Sequence, residues 1–288
     1  MQGTVDGFSY GMATPVAAYL LACLGGALGL RCARRSIRDS GRSRVVWLAL
    51  GSAAVGTGVW TMHFVAMTGF SVAETPVSHD APTAFASLAV AVVMTGIGVF
   101  IVGYRGAAPM ALVTGGTLTG LGMASAHYLG MAGLRLQGAV EYDTPLVAAS
   151  VLIAVVAATA AVWTAVSTRG LLTGIAASLG MGVAVSGMHY VGMAAVTVRL
   201  DSVTVPADAA DSPAARLAPL LAGPVLFLLL AAVVVLFDPR LVAGEVRGPE
   251  ESPLPGIPAQ RTGRPARRQA AWALETARQD LPRGPGGG

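Results

Sequence analysis

Residues 45–70 read VVWLALGSAAVGTGVWTMHFVAMTGF. The stretch is apolar and longer than the roughly 20 residues needed to cross a bilayer. Yet it holds a histidine, His63, with a methionine four residues on, Met67. The pattern recurs twice, as Ala126-His127-Tyr128-Leu129-Gly130-Met131 and Met188-His189-Tyr190-Val191-Gly192-Met193. A histidine within hydrocarbon is expensive and is a functional candidate by default. Three of them, 64 and 62 residues apart, suggest one site built by repetition.

The composition makes the membrane the relevant solvent. The chain is 54% hydrophobic and 12% charged, against about 25% charged in a soluble domain, and its mean hydropathy is +0.65. Seven apolar segments stand out, at about 12–30, 45–70, 84–103, 109–134, 145–166, 170–198 and 217–237. Backbone polar groups must be satisfied inside the bilayer, so all seven are predicted to be helices. They are continuous apolar runs, unlike the alternating ten-residue segments of a membrane barrel.

All 19 basic residues are arginine, and their placement fixes the orientation. Arg31, Arg34, Arg35, Arg38, Arg42 and Arg44 fill the first connection, Arg105 the third and Arg169 the fifth; Arg240 and Arg247 follow the last segment. The alternate loops carry Glu74, Asp80, Glu141, Asp143, Asp201, Asp208 and Asp211, with only Arg135, Arg199 and Arg216. The positive-inside rule then puts the N-terminus outside and the C-terminus inside, in a multi-pass protein of the cell membrane. The basic balance belongs to membrane topology, not to nucleic acid. Cys23 and Cys32 lie about 13 Å apart along one helix, too far for a disulfide. The folded domain is expected over residues 10–237. Residues 238–288, rich in Pro, Gly and Arg, are expected to form a disordered cytoplasmic tail, with one short helical stretch from Arg267 to Asp280 around Trp272 and Leu274.

The period of about 63 residues equals two spans and their loops. The motif-bearing second, fourth and sixth spans therefore run the same way, as in a parallel repeat about an axis along the membrane normal. Phe70, Leu134 and Val196, seven residues past their histidines, mark the expected outer ends of the spans. The histidines would then lie about 10 Å beneath the outer boundary, at one depth. Seven residues before each histidine stands a glycine, Gly56, Gly120 or Gly182; five before stand Gly58, Gly122 and Ala184. Small residues let membrane helices approach closely.

In these three motifs the sequence resembles the MHYT domain proteins of bacteria, whose Met-His-Tyr-Thr motif occurs three times on seven spans. The resemblance covers about residues 10–237. Phe64 stands at the first tyrosine position, Ala126 at the second methionine position, and Val65, Leu129 and Val191 at the threonine positions. It implies a membrane sensor that binds copper near the outer face and detects oxygen, carbon monoxide or nitric oxide. Relatives often continue into cyclic-di-GMP synthesis and hydrolysis domains, which the roughly 50 low-complexity residues after the last segment are not expected to form. The signal is then expected to pass to a separate cytoplasmic protein.

The residues themselves also point to a metal. Imidazole suits copper, zinc, iron and nickel, and thioethers favour copper(I). His63, His127 and His189 are the predicted ligands, with Met67, Met131 and Met193 as additional or alternative ones. Met62, Met123 and Met188 are candidate lining residues. Tyr128 and Tyr190 could donate hydrogen bonds near the site. Two other readings stand beside this one: structural packing of histidine and methionine in a helix bundle, and haem ligation, which needs only two axial ligands and leaves one histidine over. Functionally, a copper carrier and a haem electron-transfer protein compete with the sensor. His79, beside Asp80, is expected to be an exposed loop residue. Gly25 and Gly29 form a GxxxG read as packing within the bundle. No nucleotide loop, nucleophile elbow or intramembrane carboxylate pair is present in the sequence, so no enzymatic role is expected.

Overall fold

The computed structural model of the chain describes residues 2–7, 9–167, 170–200 and 213–238. Seven helices occupy them: α1 (Ala13–Arg38), α2 (Gly41–Met67), α3 (Ala81–Arg105), α4 (Pro109–Ala132), α5 (Thr144–Ser167), α6 (Leu171–Ala194) and α7 (Pro213–Leu236). All seven predicted segments are thus helical. Six are long and apolar enough to cross a membrane. The remaining one, α4, has 24 residues but is diluted by Thr114, Gly115, Gly116, Thr117, Thr119, Gly120 and Gly122. The chain is an all-α, multi-pass protein of the cell membrane. The predicted tail, 238–288, lies almost wholly outside the described residues, as do Arg169, Arg240, Arg247, Asp201, Asp208 and Asp211.

Six short strands, not predicted from the sequence, join the helices at the motif end: β1 (Val5–Asp6), β2 (Ser71–Val72), β3 (Ser78–His79), β4 (Leu134–Arg135), β5 (Gly138–Tyr142) and β6 (Val196–Leu200). They pair antiparallel as β1–β2, β3–β4 and β5–β6. Each pair links the chain entering an odd helix to the chain leaving the next even one. The repeat is therefore a β-α-α-β unit clasped at one end, present three times. The strands also shift the helix ends. Leu134 and Val196 open β4 and β6 instead of closing spans, so each histidine lies only four or five residues, about 6–8 Å, from its helix end. Two of the arginines that depart from the charge asymmetry are paired here. Arg135 meets Asp80 at 3.4 Å, and Arg199 meets Glu141 at 2.9 Å across the β5–β6 ladder.

The three units close into a ring, with α2 on α3, α4 on α5 and α6 back on α1; α7 lies outside it against α1 and α2. The repeated small residues make these contacts. Gly56 faces the backbone of Val92 on α3, Gly120 that of Val155 on α5, and Gly182 the side chains of Tyr19 and Cys23 on α1. The glycine seven before each histidine therefore seats the next unit. The residue five before serves its own unit: Gly58 lies on Gly25 of α1, and Gly122 on Met94 of α3. Gly25 and Gly29 both face α2, so the GxxxG is spent inside the bundle. At the opposite, arginine-bearing end the helices turn tightly. Gly106 takes φ +67° and its N–H caps α3 through Val102 O.

A Cβ at Gly120 would stand 2.7 Å from Ala154 O, with no side-chain end to move aside, whereas one at Gly187 meets nothing within 4 Å. Gly120→Ala should lower stability by about 1–3 kcal/mol, as overpacking does. Gly187→Ala should raise it by up to about 1 kcal/mol through helix propensity. Thermal unfolding in detergent measures both; equal melting temperatures for the two variants would refute the seam between α4 and α5.

Candidate metal centre

α2, α4 and α6 each bring one histidine to the middle of the ring, and the three meet. The Nδ1 atoms of His63 and His127 lie 3.1 Å apart, those of His63 and His189 3.1 Å, and those of His127 and His189 3.4 Å. Residual exposure is 4%, 4% and 1% respectively. The rings stand nearly perpendicular to one another, with centroids 4.8–5.2 Å apart and interplanar angles of 75–88°.

Such a triangle cannot be satisfied by hydrogen bonds alone. Each Nδ1 either carries a proton or offers a lone pair. With three vertices and two choices, at least one edge sets two donors or two lone pairs face to face. A shared cation removes the conflict, because all three nitrogens can then present lone pairs inward. The dimensions suit one. Three nitrogens bound at ~2.0–2.1 Å to a single ion lie ~3.3 Å apart in a tetrahedral shell and ~3.5 Å apart in a planar one. Among the described residues this is the group of histidines, cysteines and carboxylates arranged to hold a metal ion.

The imidazoles lean onto neighbouring units. A Cβ at Gly130 would stand 2.9 Å from His63 Nε2, and one at Gly192 2.7 Å from His127 Nε2. Both glycines lie three residues after a motif histidine; Ala66 holds that position in the first motif. The glycines' role was not read from sequence, although their spacing is visible in the quoted hexapeptides. The aromatic residue after each histidine stands edge-on to its ring: Phe64, Tyr128 and Tyr190, at 4.8–4.9 Å between centroids. The Tyr128 hydroxyl is engaged outside the site, 2.6 Å from Ser150 Oγ on α5.

The methionines divide into two layers. Met67 and Met131 belong to a buried cluster toward the strands with Trp60, Phe64, Phe70, Leu134 and Val198, and Met193 packs against it. This cluster seals the histidines from the motif end. Trp60 braces it, donating from Nε1 to Ala84 O and to Ser87 Oγ, both at 2.9 Å. On the other side, Met62, Met123 and Met188 line a cavity of about 10 Å³ with all three histidines. That is room for about one water-sized molecule. The second motif lacks methionine before its histidine, and Met123, four residues before it, supplies the third thioether. Side chains on a helix lean toward its N-terminus, so the imidazoles reach back over the preceding turn and the methionines four residues ahead fill the turn left behind.

His79 is not an exposed loop residue. It sits in β3, half-buried and edge-on to Phe64 at 5.6 Å. Asp80 beside it caps α3, accepting from Thr83 N at 3.1 Å and from the Thr83 hydroxyl at 2.6 Å. These donors, with Arg135, hold the Asp80 carboxyl below its usual range.

Comparison with known proteins adds an independent line. The family described as the MHYT bacterial signalling protein N-terminal repeat matches residues 56–115 and 120–178. The chain is 36% identical over 199 residues to the Pseudomonas aeruginosa bifunctional diguanylate cyclase/cyclic di-GMP phosphodiesterase MucR, covering 67% of this chain and 29% of that protein. It is 30% identical over 214 residues to the cyclic di-GMP phosphodiesterase NbdA of the same organism, covering 70% and 27%. With the Bacillus subtilis signalling protein YkoW it shares 29% identity over 190 residues, covering 63% and 23%. The match spans less than a third of each of these relatives. No solved structure matches the chain.

Burial pushes His79 down to about 4, below the roughly 6.5 of an unfolded histidine. Folding therefore favours its neutral form. That contribution is complete above pH ~6.5 and is lost as the pH falls through about 4. Melting temperatures measured between pH 7.5 and 4 should fall, and His79→Phe should flatten the curve. An unchanged slope in that variant would assign the acid sensitivity elsewhere.

Proposed function

Because the chain belongs to the MHYT family of bacterial signalling proteins, we propose that it is an integral membrane sensor in which His63, His127 and His189 hold one metal ion. The observation that carries this reading is the triangle of Nδ1 atoms, 3.1–3.4 Å on a side, buried and frustrated without a shared cation. Copper is the favoured ion. The donors are neutral, and Met62, Met123 and Met188 border the same small cavity as soft thioethers. Met67, Met131 and Met193 are alternative donors one turn further toward the strands. When bound, copper supplies a coordination position at which a diatomic gas can add.

The volume favours an ion over haem. A space of about 10 Å³ takes one water-sized species beside the three nitrogens and has no slot for a macrocycle. A carrier is less well supported, because the ring below the histidines is lined mainly by glycine, alanine and valine, with Met181 the one further thioether and no histidine or cysteine among the described lining residues. The arginine distribution orients the histidines toward the outer leaflet, with α4 counted as the fourth of seven crossings.

Each histidine comes from a different unit, so an ion held by all three binds most tightly in one arrangement of the ring. Only that difference in affinity can transmit a signal. The signal leaves by the arginine-rich loops and reaches a cytoplasmic signalling protein. The names of the relatives suggest cyclic-di-GMP turnover as the output, with this chain sensing and performing no catalysis.

Protein purified in mild detergent should contain about one copper per chain. The triple variant of His63, His127 and His189 to alanine should contain none while keeping its helical circular dichroism. Met67, Met131 and Met193 to leucine should retain the metal with less than tenfold loss of affinity. Equal metal in wild type and the histidine variant would sink the assignment. Copper flux into vesicles would favour the carrier, and a strong visible band that shifts on reduction would favour haem. Gly192→Ala, which crowds His127, should weaken copper binding by at least tenfold without lowering helicity, read by competition with a copper(I) chelator.

A further inference from the structure

Below the histidines the ring surrounds a second, larger cavity of about 480 Å³, which meets the metal site only at Met123 and Met188. All six ring helices contribute to its wall. Protein interiors pack as densely as organic crystals, so this volume is not a packing defect. It falls within the roughly 300–1,000 Å³ of ordinary ligand pockets. Small residues make much of the wall, with Ala154, Ala158 and Ala161 on α5 and Gly26, Gly29 and Gly51 on α1 and α2. Between its two ends the unpartnered polar groups of this wall are the Thr95 and Thr119 hydroxyls, so most of its length offers water fewer than the two to four partners it needs.

The end of the cavity toward the arginine-rich loops is different. Arg44 and Arg105 stand there, with Tyr104 between them in the sequence. The Arg44 guanidinium lies 4.7 Å from the centre of the Tyr104 ring and donates through Nη2 to Gly103 O. Its Nε is buried with no hydrogen-bond partner. Among the described residues that line the cavity none is acidic. An apolar channel with a cationic, underused donor at its mouth is complementary to an anionic head on a single hydrocarbon chain. The opposite end closes on Met123 and Met188, which also line the small cavity of the histidines.

We propose that this cavity binds an anionic single-chain amphiphile, with its hydrocarbon chain in the ring and its head at Arg44 and Arg105. A free fatty acid and one chain of an anionic phospholipid share that chemistry. The chain's tip reaches the two methionines that floor the histidine site, so occupancy meets the metal centre through a single layer of side chains. The site stands independently of the metal reading.

The test uses full-length protein, delipidated in nonionic detergent and titrated with sodium palmitate or methyl palmitate under native mass spectrometry. One palmitate should bind per chain, and the uncharged ester should bind at least tenfold more weakly. Ala158→Phe, which fills the channel, should weaken palmitate binding at least tenfold while leaving metal content unchanged. Arg44→Gln, at the rim and away from the packed interior, should bring the acid down to the affinity of the ester. The alanine variant of the three histidines should still bind palmitate, which separates this site from the metal site. Displacement of palmitate by phosphatidylglycerol would identify a membrane lipid as the source; failure of displacement would identify the free acid. Equal binding of acid and ester by the wild type, or wild-type binding by Ala158→Phe, would overturn the proposal.

Discussion

Three imidazole nitrogens held within 3.4 Å of one another impose a demand on every element around them. Hydrogen bonds can satisfy at most two of the three edges, so the rings must be kept together with less than the full pairing that ordinarily holds polar groups in an apolar interior. The backbone does the work instead. Glycines at equivalent positions draw the helices close, and the rings of His63 and His127 rest on Gly130 and Gly192, where a side chain would push them apart. The cluster around Trp60 and Phe64 closes the motif end. The site is thus a property of three packed units, none of which has a binding surface alone.

Close approach and apolar wall lining draw on the same residues. A helix face of glycine and alanine can seat a neighbour, as Gly120 seats Val155, or leave space, as Ala158 does toward the ring axis. Which outcome follows depends on whether the face points between units or into the centre. Near the histidines the centre is filled by imidazole and thioether; toward the arginines, alanine and glycine leave it open. Tight packing at one depth and a large cavity at another therefore arise from one composition.

Much of this was legible in the sequence because hydrocarbon allows few alternatives. Long apolar runs had to be helices, and a histidine every 63 residues had to recur on like-directed spans. The glycines at Gly56, Gly120 and Gly182 could be read as packing residues before their partners were known. The two-residue strands could not, whereas β5 and β6, five residues each, were long enough to be read. Val5–Asp6 and Ser78–His79 are two residues each, too short for alternation to register, and their pairing depends on chain brought together by the helices. His79 is buried for a reason no local pattern carries, since β3 lies against Phe64. The two methionine layers differ by side-chain direction, which residue spacing alone does not convey.

The ring is nearly threefold, but α7 is not repeated. It lies against α1 and α2, and the far end of the first unit is tied to the chain leaving it, with Arg35 bridging Asp39 and Asp238. The same unit holds Phe64 where the others have tyrosine, and Ala66 where they have glycine. A uniform tightening at the centre therefore meets one flank that is loaded and two that are not. Threefold repetition fixes the hub, and the single unpaired helix is what makes its three flanks unequal.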